Sequence, residues 1–407
     1  CCPIFFMNHK LIKKVISALT GRKTSFFLSD LDSSRAKLKL EIEGNSVLVI
    51  GGAGTIGSNF IKELLYFNPT KLVVVDINEN GLAELVRDIR STECDQLPEI
   101  ITYPLSFGSQ IFERLFNAHK PFDIVANFAA HKHVRTEKDP FSVQAMFENN
   151  FIKAHGLLEL LKKNKPKHFF CVSTDKATNP VNVMGATKKL MEDVIFSFQN
   201  DFKITTARFA NVAFSNGSLL ESFVNRFNKH QPLVSPKDVK RFFVSPEEAG
   251  QICLLACILG ESGEIFIPKL SPEKDLKPIS NALKYYLKEL GYGLDEYSTD
   301  QEVLEAIKKH SYSDKTYPVM LLSSDTTGEK LFEEFYTSND VVDETRLQAL
   351  SVIQTFVGKT KDLKNMMAEA NELYQNNIDK HDLVKFLEKY IEGFNHIETG
   401  KNLDQKM

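Results

Sequence analysis

At 407 residues the chain has room for two or three domains. Its 50 Lys and Arg against 53 Asp and Glu leave a net charge of −3, which excludes a protein built to coat nucleic acid with excess positive charge. Hydrophobic residues reach 43%, excluding wholesale disorder, and no stretch approaches the ~18 unbroken apolar residues of a membrane span.

Residues 1–44 read as an N-terminal extension. Leu11–Ile16 has the pattern of an amphipathic helix, and a solvated polar stretch runs on through Ser33-Ser34-Arg35. Such a helix is expected to pack on the body or on a neighbouring subunit rather than on a membrane. Ile4–Met7 is too short an apolar run for a secretory leader, and Lys10, Lys13 and Lys14 follow it, so a cytoplasmic protein is expected. The six cysteines do not form a disulfide framework. Cys253 and Cys257 sit one helical turn apart among apolar neighbours and read as buried thiols rather than metal ligands; no metal is expected. With Trp absent and 31 Phe, phenylalanine should fill most of the core.

From residue 46 short apolar runs alternate with helical periodicity. The runs Val47–Ile50, Leu72–Val75, Ile100–Tyr103, Ile124–Phe128, Phe169–Val172 and Ile204–Arg208 predict strands. Helices are predicted between them, near Gly57–Tyr66, Leu82–Arg90, Ile111–Ala118, Phe141–Lys163 and Met184–Phe198. That alternation specifies βαβ units and an α/β, doubly wound parallel sheet. Beyond about residue 212 the regularity breaks, a helix returns near Pro246–Leu259, and Tyr317–Leu322 suits a strand. Residues 270–407 otherwise look mostly helical, with good helix formers from Asp343 onward.

The first strand runs into Gly51-Gly52-Ala53-Gly54-Thr55-Ile56-Gly57. Gly52, Gly54 and Gly57 have the Gly-x-Gly-x-x-Gly spacing that lets backbone N–H groups approach a pyrophosphate at a helix N-terminus, the fingerprint of a Rossmann dinucleotide site. Asp76 ends the second strand 19 residues after Gly57 (76 − 57). An acid there accepts from an adenosine ribose and repels a 2′-phosphate, which favours NAD over NADP; the competing role is a plain turn residue. Asn127, Ala129 and Ala130 follow the fourth strand, where small residues let a cofactor lie against the backbone. His131, Lys132 and His133 come next, with cofactor or substrate contact favoured over metal ligation and a solvated loop as the alternative.

The strand Phe169–Val172 ends in Ser173-Thr174-Asp175-Lys176. At the carboxyl end of a central strand, an adjacent acid and amine can divide acid and base work; otherwise they are an Asx turn with a surface ion pair. Met184 and Lys188 follow on one face of a helix at i and i+4.

Together these residues resemble the extended short-chain dehydrogenase/reductases, which usually carry Tyr-x-x-x-Lys where this chain has Met184 and Lys188. Asp175-Lys176 with Asn179-Pro-Val-Asn-Val-Met-Gly-Ala-Thr-Lys188, Ala207–Val212 and Lys240–Phe243 are similar to the CapD-like polysaccharide-biosynthesis branch, the UDP-N-acetylglucosamine 4,6-dehydratases. The resemblance implies a bound NAD and a UDP-sugar substrate. It assigns the departing C6 hydroxyl to Asp175 as acid, the C5 proton to Lys176 as base, and the nicotinamide ribose to Lys188. Without a tyrosine, the C4 hydroxyl proton is left to Thr174 relaying through water or to Asp175 itself, and Met184 either lies beside the nicotinamide or fills the core. Asn211, Ser218 and Arg241 become candidates for the nucleotide diphosphate, with an idle, exposed helical Arg241 as the alternative, and Lys132 and His133 for further substrate contact. One departure lies in Asp325–Glu334, where relatives read Arg-Pro-Gly-Glu-Lys-Leu and this chain has Thr326 in place of the arginine. The resemblance also implies the form lacking membrane helices, and a homo-oligomer. The expected division is residues 1–44, an NAD-binding domain over 45–230, a smaller substrate-side portion over 231–340, and a helical extension over 341–407.

Overall fold

The computed structural model describes residues 9–91, 97–132, 137, 139–323, 332–355, 363–376 and 379–397. Two helices, α1 (His9–Thr20) and α2 (Leu28–Ile42), lead into β1 (Ser46–Ile50), α3 (Thr55–Leu65), β2 (Lys71–Asp76), α4 (Glu79–Arg90), β3 (Glu99–Pro104), α5 (Gln110–His119) and β4 (Ile124–Asn127). Next come α6 (Pro140–Phe147) and α7 (Lys153–Lys163), joined by one π-helical turn over Glu148–Ile152. They are followed by β5 (His168–Val172), α8 (Val183–Ser197), β6 (Ile204–Ala207), β7 (Asn211–Val212), α9 (Leu219–Asn228), β8 (Leu233–Pro236) and β9 (Lys240–Val244). Then α10 (Pro246–Leu259), β10 (Glu264–Pro268), α11 (Pro272–Asp275), β11 (Leu276–Pro278), α12 (Ile279–Glu289), β12 (Gly293–Tyr297), α13 (Asp300–Lys309) and β13 (Thr316–Leu322) appear. The last elements are β14 (Val342–Asp343), β15 (Leu350–Gln354), α14 (Leu363–Gln375) and α15 (Lys380–Tyr390).

Among the described residues, nine strands share one sheet in the order β14-β15-β10-β6-β5-β4-β1-β2-β3. Every pairing from β10 through β3 is parallel, and β15 and β14 add to the edge antiparallel. The Val/Leu/Ile runs of β1, β2 and β4 and the apolar β5 are buried because helices cover both sheet faces. Strand order reverses between β1 and β4, so a crevice opens at the carboxyl ends of β1, β4, β5 and β6. Among the described residues, the largest fully buried side chains apart from Tyr317 are all Phe.

Helix α10 is buried all round, with Cys253 and Cys257 as free interior thiols. It lies so close to α3 that a Cβ on Gly250 would stand 2.6 Å from the Asn59 carbonyl. A second core joins Val15 and Leu19 of α1 to Phe223 and Phe227 of α9, Leu283 of α12 and Tyr317 of β13. The predicted N-terminal helix therefore packs on the body. Among the described residues, no helix is long and apolar enough to cross a membrane.

Three local expectations need correction. The stretch around Ser33-Ser34-Arg35 is part of α2, because Leu31, Leu38 and Ile42 form a narrow apolar seam against the main core while most of the intervening side chains are polar and turned to solvent. The region beyond 270 is not mostly helical, since it also supplies β11 to β15. In particular, β15 falls where a helical C-terminal extension is expected: its Leu350–Ile353 are buried because they complete the otherwise open edge of β10. Asp30 of α2 secures the entry to that strand, accepting from the N–H groups of Gln348 and Ala349 at 2.6 and 2.8 Å. The main sheet also draws β10 from beyond residue 231, so its strands interleave along the chain with the smaller three-stranded sheets β11-β9-β7 and β12-β13-β8.

Candidate active site

A cleft of about 880 Å³ runs from the carboxyl edge of the main sheet to the second core. At one end lies the Gly-rich turn. Gly51 has φ +78°, and a Cβ there would sit 2.5 Å from the Ala129 nitrogen, so only glycine lets this turn and the end of β4 close together. The turn leads into α3, whose N-cap, Gly54, provides no side-chain cap. Thr55, Ile56 and Gly57, the uncapped first turn of this helix, line the cleft. Gly52 packs behind the turn against Val74 and Ile61 rather than on the wall. Asp76 does line it; its carboxylate accepts from Ala53 N at 3.0 Å and Asn78 N at 2.9 Å, bracing the Gly-rich turn.

Ala129, Ala130, His131 and Lys132 form the neighbouring wall. Asn127 is placed behind it: 2% exposed, it accepts from Ala129 N at 3.0 Å and shapes the turn instead of facing the cleft. His133 lies outside the described residues. Asn150, in the π-helical turn, was not singled out from the sequence. It binds both the N–H and the carbonyl of His131 at 2.9 Å and meets Thr187 of α8 at 3.2 Å. Only the irregular helix makes that buried amide intelligible, and no spacing announces it.

At the tip of β5, Thr174 and Lys176 line the cleft while Asp175 sits directly behind them, 2% exposed. Asp175 Oδ1 accepts from the Thr174 hydroxyl at 2.7 Å and from Lys176 Nζ at 3.0 Å. The pair is therefore not a solvated surface contact. Ser173 also lines the cleft, but its hydroxyl is committed to Glu192, to which it donates at 2.6 Å. That glutamate forms a buried two-point pair with Arg208, at 2.9 and 2.6 Å, so the arginine of Ala207–Val212 supports the floor instead of meeting substrate. Burial alone would raise the Glu192 pKa, but the adjacent Arg208 guanidinium holds it below the usual carboxylate range.

Met184 and Lys188 project from α8 into the same cleft, and both are buried. The helix start approaches the 3₁₀ turn Asp175–Ala177 so closely that a Cβ on Gly185 would lie 2.6 Å from the Lys176 carbonyl. Met184 N donates to Glu137 at 2.8 Å. Lys188 Nζ donates to the Val172 carbonyl at 2.7 Å.

The far wall carries Asn211, Ser218 and Arg241. Ser218 caps α9, accepting from Glu221 N at 3.2 Å. Arg241 is no exposed helical residue: it sits on β9, is 5% exposed and donates to the Lys240 carbonyl at 2.8 Å. Asn216 N donates to Thr55 Oγ1 at 3.0 Å, so the loop before α9 is tied to the Gly-rich turn. Thr326 lies outside the described residues, but Glu333 beyond it lines the cleft.

A doubly wound sheet, a Gly-rich turn at its switch point and a Lys on the helix after β5 define the extended short-chain dehydrogenase/reductase class. Within that class, the chain belongs to the polysaccharide biosynthesis protein family, whose pattern matches residues 47–355. It is 31% identical over 321 residues to MJ1061 of Methanocaldococcus jannaschii, named as an uncharacterized membrane protein, covering 76% of this chain and 86% of that one. The capsular polysaccharide biosynthesis protein CapD of Staphylococcus aureus is 28% identical over 81% of this chain, which spans only 50% of CapD. A Campylobacter jejuni UDP-N-acetylglucosamine 4,6-dehydratase (inverting) is 25% identical, covering 85% of this chain and 99% of its own. Among solved structures, Pen from Bacillus thuringiensis shares the fold with a TM-score of 0.60 at 22% identity, over 77% of this chain and 88% of that one.

Proposed function

We propose that the protein is an NAD-dependent UDP-N-acetylglucosamine 4,6-dehydratase. The observation that carries this reading is the convergence of Thr174, Lys176, Met184 and Lys188 on one cleft whose other end is the Gly-rich turn. The similarity to a dehydratase of that name over almost its whole length adds support.

The donor set fits NAD. The uncapped start of α3 suits the pyrophosphate, Asp76 the adenosine ribose, and Lys188 the nicotinamide ribose. The chemistry NAD supplies when bound is removal and return of one hydride, from C4 of the sugar and to C6. The chain's own residues then move protons. Thr174 takes the C4 hydroxyl proton and passes it along its 2.7 Å contact to Asp175. Oxidation at C4 makes the C5 proton acidic, and Lys176, on the cleft wall and entering the step as the neutral amine, removes it. Asp175 gives its proton, back through Thr174, to the departing C6 hydroxyl, which leaves as water. Lys176 finally returns a proton to C5. Asn211, Ser218 and Arg241 grip the nucleotide diphosphate, Arg241 through its planar fork, and Lys132 meets the substrate at the mouth. With Cys171, Cys253 and Cys257 buried as free thiols, a reducing, cytoplasmic setting fits the reading.

Incubation with UDP-N-acetylglucosamine in deuterated water, followed by proton NMR, tests it. A new C6 methyl and deuterium at C5 are expected. A product that keeps its C6 hydroxyl and is inverted at C4 would make the protein an epimerase, and unchanged substrate beside retained NAD would make it a binder without this activity.

A further inference from the structure

We propose that Glu333 is a positioning residue for Lys176, fixing its side-chain nitrogen against the cleft wall; only the chemistry Lys176 then performs rests on the dehydratase reading. Asp175 and Lys176 are neighbours on a single 3₁₀ turn. Their 3.0 Å contact ties them to each other but not to the rest of the site, because both side chains move with that turn. A fixed point has to come from elsewhere. Glu333 arrives from a distant part of the chain, is 5% exposed, and places Oε1 3.8 Å from Lys176 Nζ. Asn211 Oδ1 stands 3.5 Å from the same nitrogen. The Lys176 nitrogen is thus held between two carboxylates and an amide oxygen contributed by three separate segments.

The segment that carries Glu333 is anchored on its far side. Glu334 accepts from Asn179 Nδ2 at 3.0 Å. Phe335 is buried, its ring centroid 5.2 Å from that of Phe242, and its carbonyl accepts from Arg208 at 3.2 Å. These contacts leave Glu333 little freedom, so its carboxylate is a reference position rather than a follower of the lysine. A lysine stem has four rotatable bonds, and a single remote charge within about 4 Å restricts its head without closing the face turned to the cleft.

The test uses Glu333→Gln and Glu333→Asp in the full chain. Trace acetylation with acetic anhydride at fixed pH, read by peptide mass spectrometry, reports the accessibility of the Lys176 amine without any turnover. Its labelling rate should rise several-fold in Glu333→Gln and return toward the original in Glu333→Asp, while Lys132 at the cleft mouth keeps its rate. With UDP-N-acetylglucosamine, Glu333→Gln should lower kcat at least about tenfold with KM within about twofold. Unchanged Lys176 labelling in Glu333→Gln overturns the proposal whatever the kinetics. Altered labelling in a protein that never dehydrates the sugar keeps the positioning role and removes the dehydratase reading.

Discussion

Lys188 donates its ammonium to the Val172 carbonyl at 2.7 Å, which ties helix α8 to the end of strand β5 beneath the cleft. Burial pushes the ammonium's pKa below the usual lysine range, while nearby Cys171 and Glu192 favour the charged form. A tyrosine four residues earlier would be the customary partner in this class; here the position holds Met184, which can neither give nor take a proton. In the proposed reaction Lys188 is therefore left with binding and electrostatics, and proton traffic is assigned to the Thr174–Asp175–Lys176 turn.

Lys188→Met keeps the stem and removes the charge. It should reduce NAD retained after desalting and lower turnover by at least about a hundredfold. Leaving the buried Val172 carbonyl without its donor should destabilise the fold by about 1–2 kcal/mol. Nucleotide content by chromatography and thermal melting check the two effects separately. Full NAD occupancy with normal turnover would contradict the assignment.

Asp76 braces the turn, because one oxygen receives Ala53 N and the other Asn78 N; the proposed NAD site assigns it the adenosine ribose as well. Asp76→Ala should weaken NAD binding at least about tenfold through lost ribose contacts and a loosened turn. Asp76→Asn retains one acceptor and should lie between, with the NADP-to-NAD preference rising in both variants. Titration of nucleotide-stripped protein with each dinucleotide measures this, and equal affinities in all three proteins would remove the assignment.

The parallel sheet was legible because strands buried on both faces leave unbroken apolar runs, as in Val47–Ile50 and Leu72–Val75. The same rule hides β15, whose Leu350–Gln354 is short, mixes in a serine and gains its meaning only from the open edge of β10. Helix α2 escaped because a narrow seam of Leu31, Leu38 and Ile42 is diluted by charges and serines. In the site, consecutive residues such as Gly51–Gly57 and Thr174–Lys176 declare themselves, since their chemistry is local. Asn127 behind the wall, Asn150 in a π-helical turn and Glu333 from a distant segment are placed by tertiary contacts, which spacing does not encode.

Glu63 of α3 offers a pH signature of the packing. Burial raises its pKa to about 7, with Gln251 donating to it at 3.3 Å and partly opposing the rise. The folded state therefore holds this proton more tightly than the unfolded chain does, so the benefit is complete below the unfolded value of 4.5 and disappears as pH climbs through about 7. Glu63→Gln, which stays neutral, should stabilise the protein by about 2 kcal/mol at pH 8 and make little difference at pH 4. Urea unfolding at both pH values provides the comparison; an equal effect at each would refute the cause.

Arg22, in the link between α1 and α2, bonds both oxygens of Glu248 at 2.8 Å and the Phe243 carbonyl at 2.9 Å, with Asp275 at 3.6 Å. The pair is well buried, its side chains 15% and 3% exposed. Glu248 also closes the capping box of α10. Removing either partner leaves a charge stranded in a poorly solvated place, so Arg22→Ala should cost about 3 kcal/mol. Glu248→Ala should cost somewhat more, since the cap goes too. In the double variant the losses should fall short of their sum by about 1–3 kcal/mol. Because Phe243 lines the cleft two residues after Arg241, Arg22→Ala should also raise KM for the UDP-sugar while leaving NAD retention intact. Chemical denaturation and steady-state kinetics read the two consequences, and strictly additive losses would show that Arg22 and Glu248 act independently.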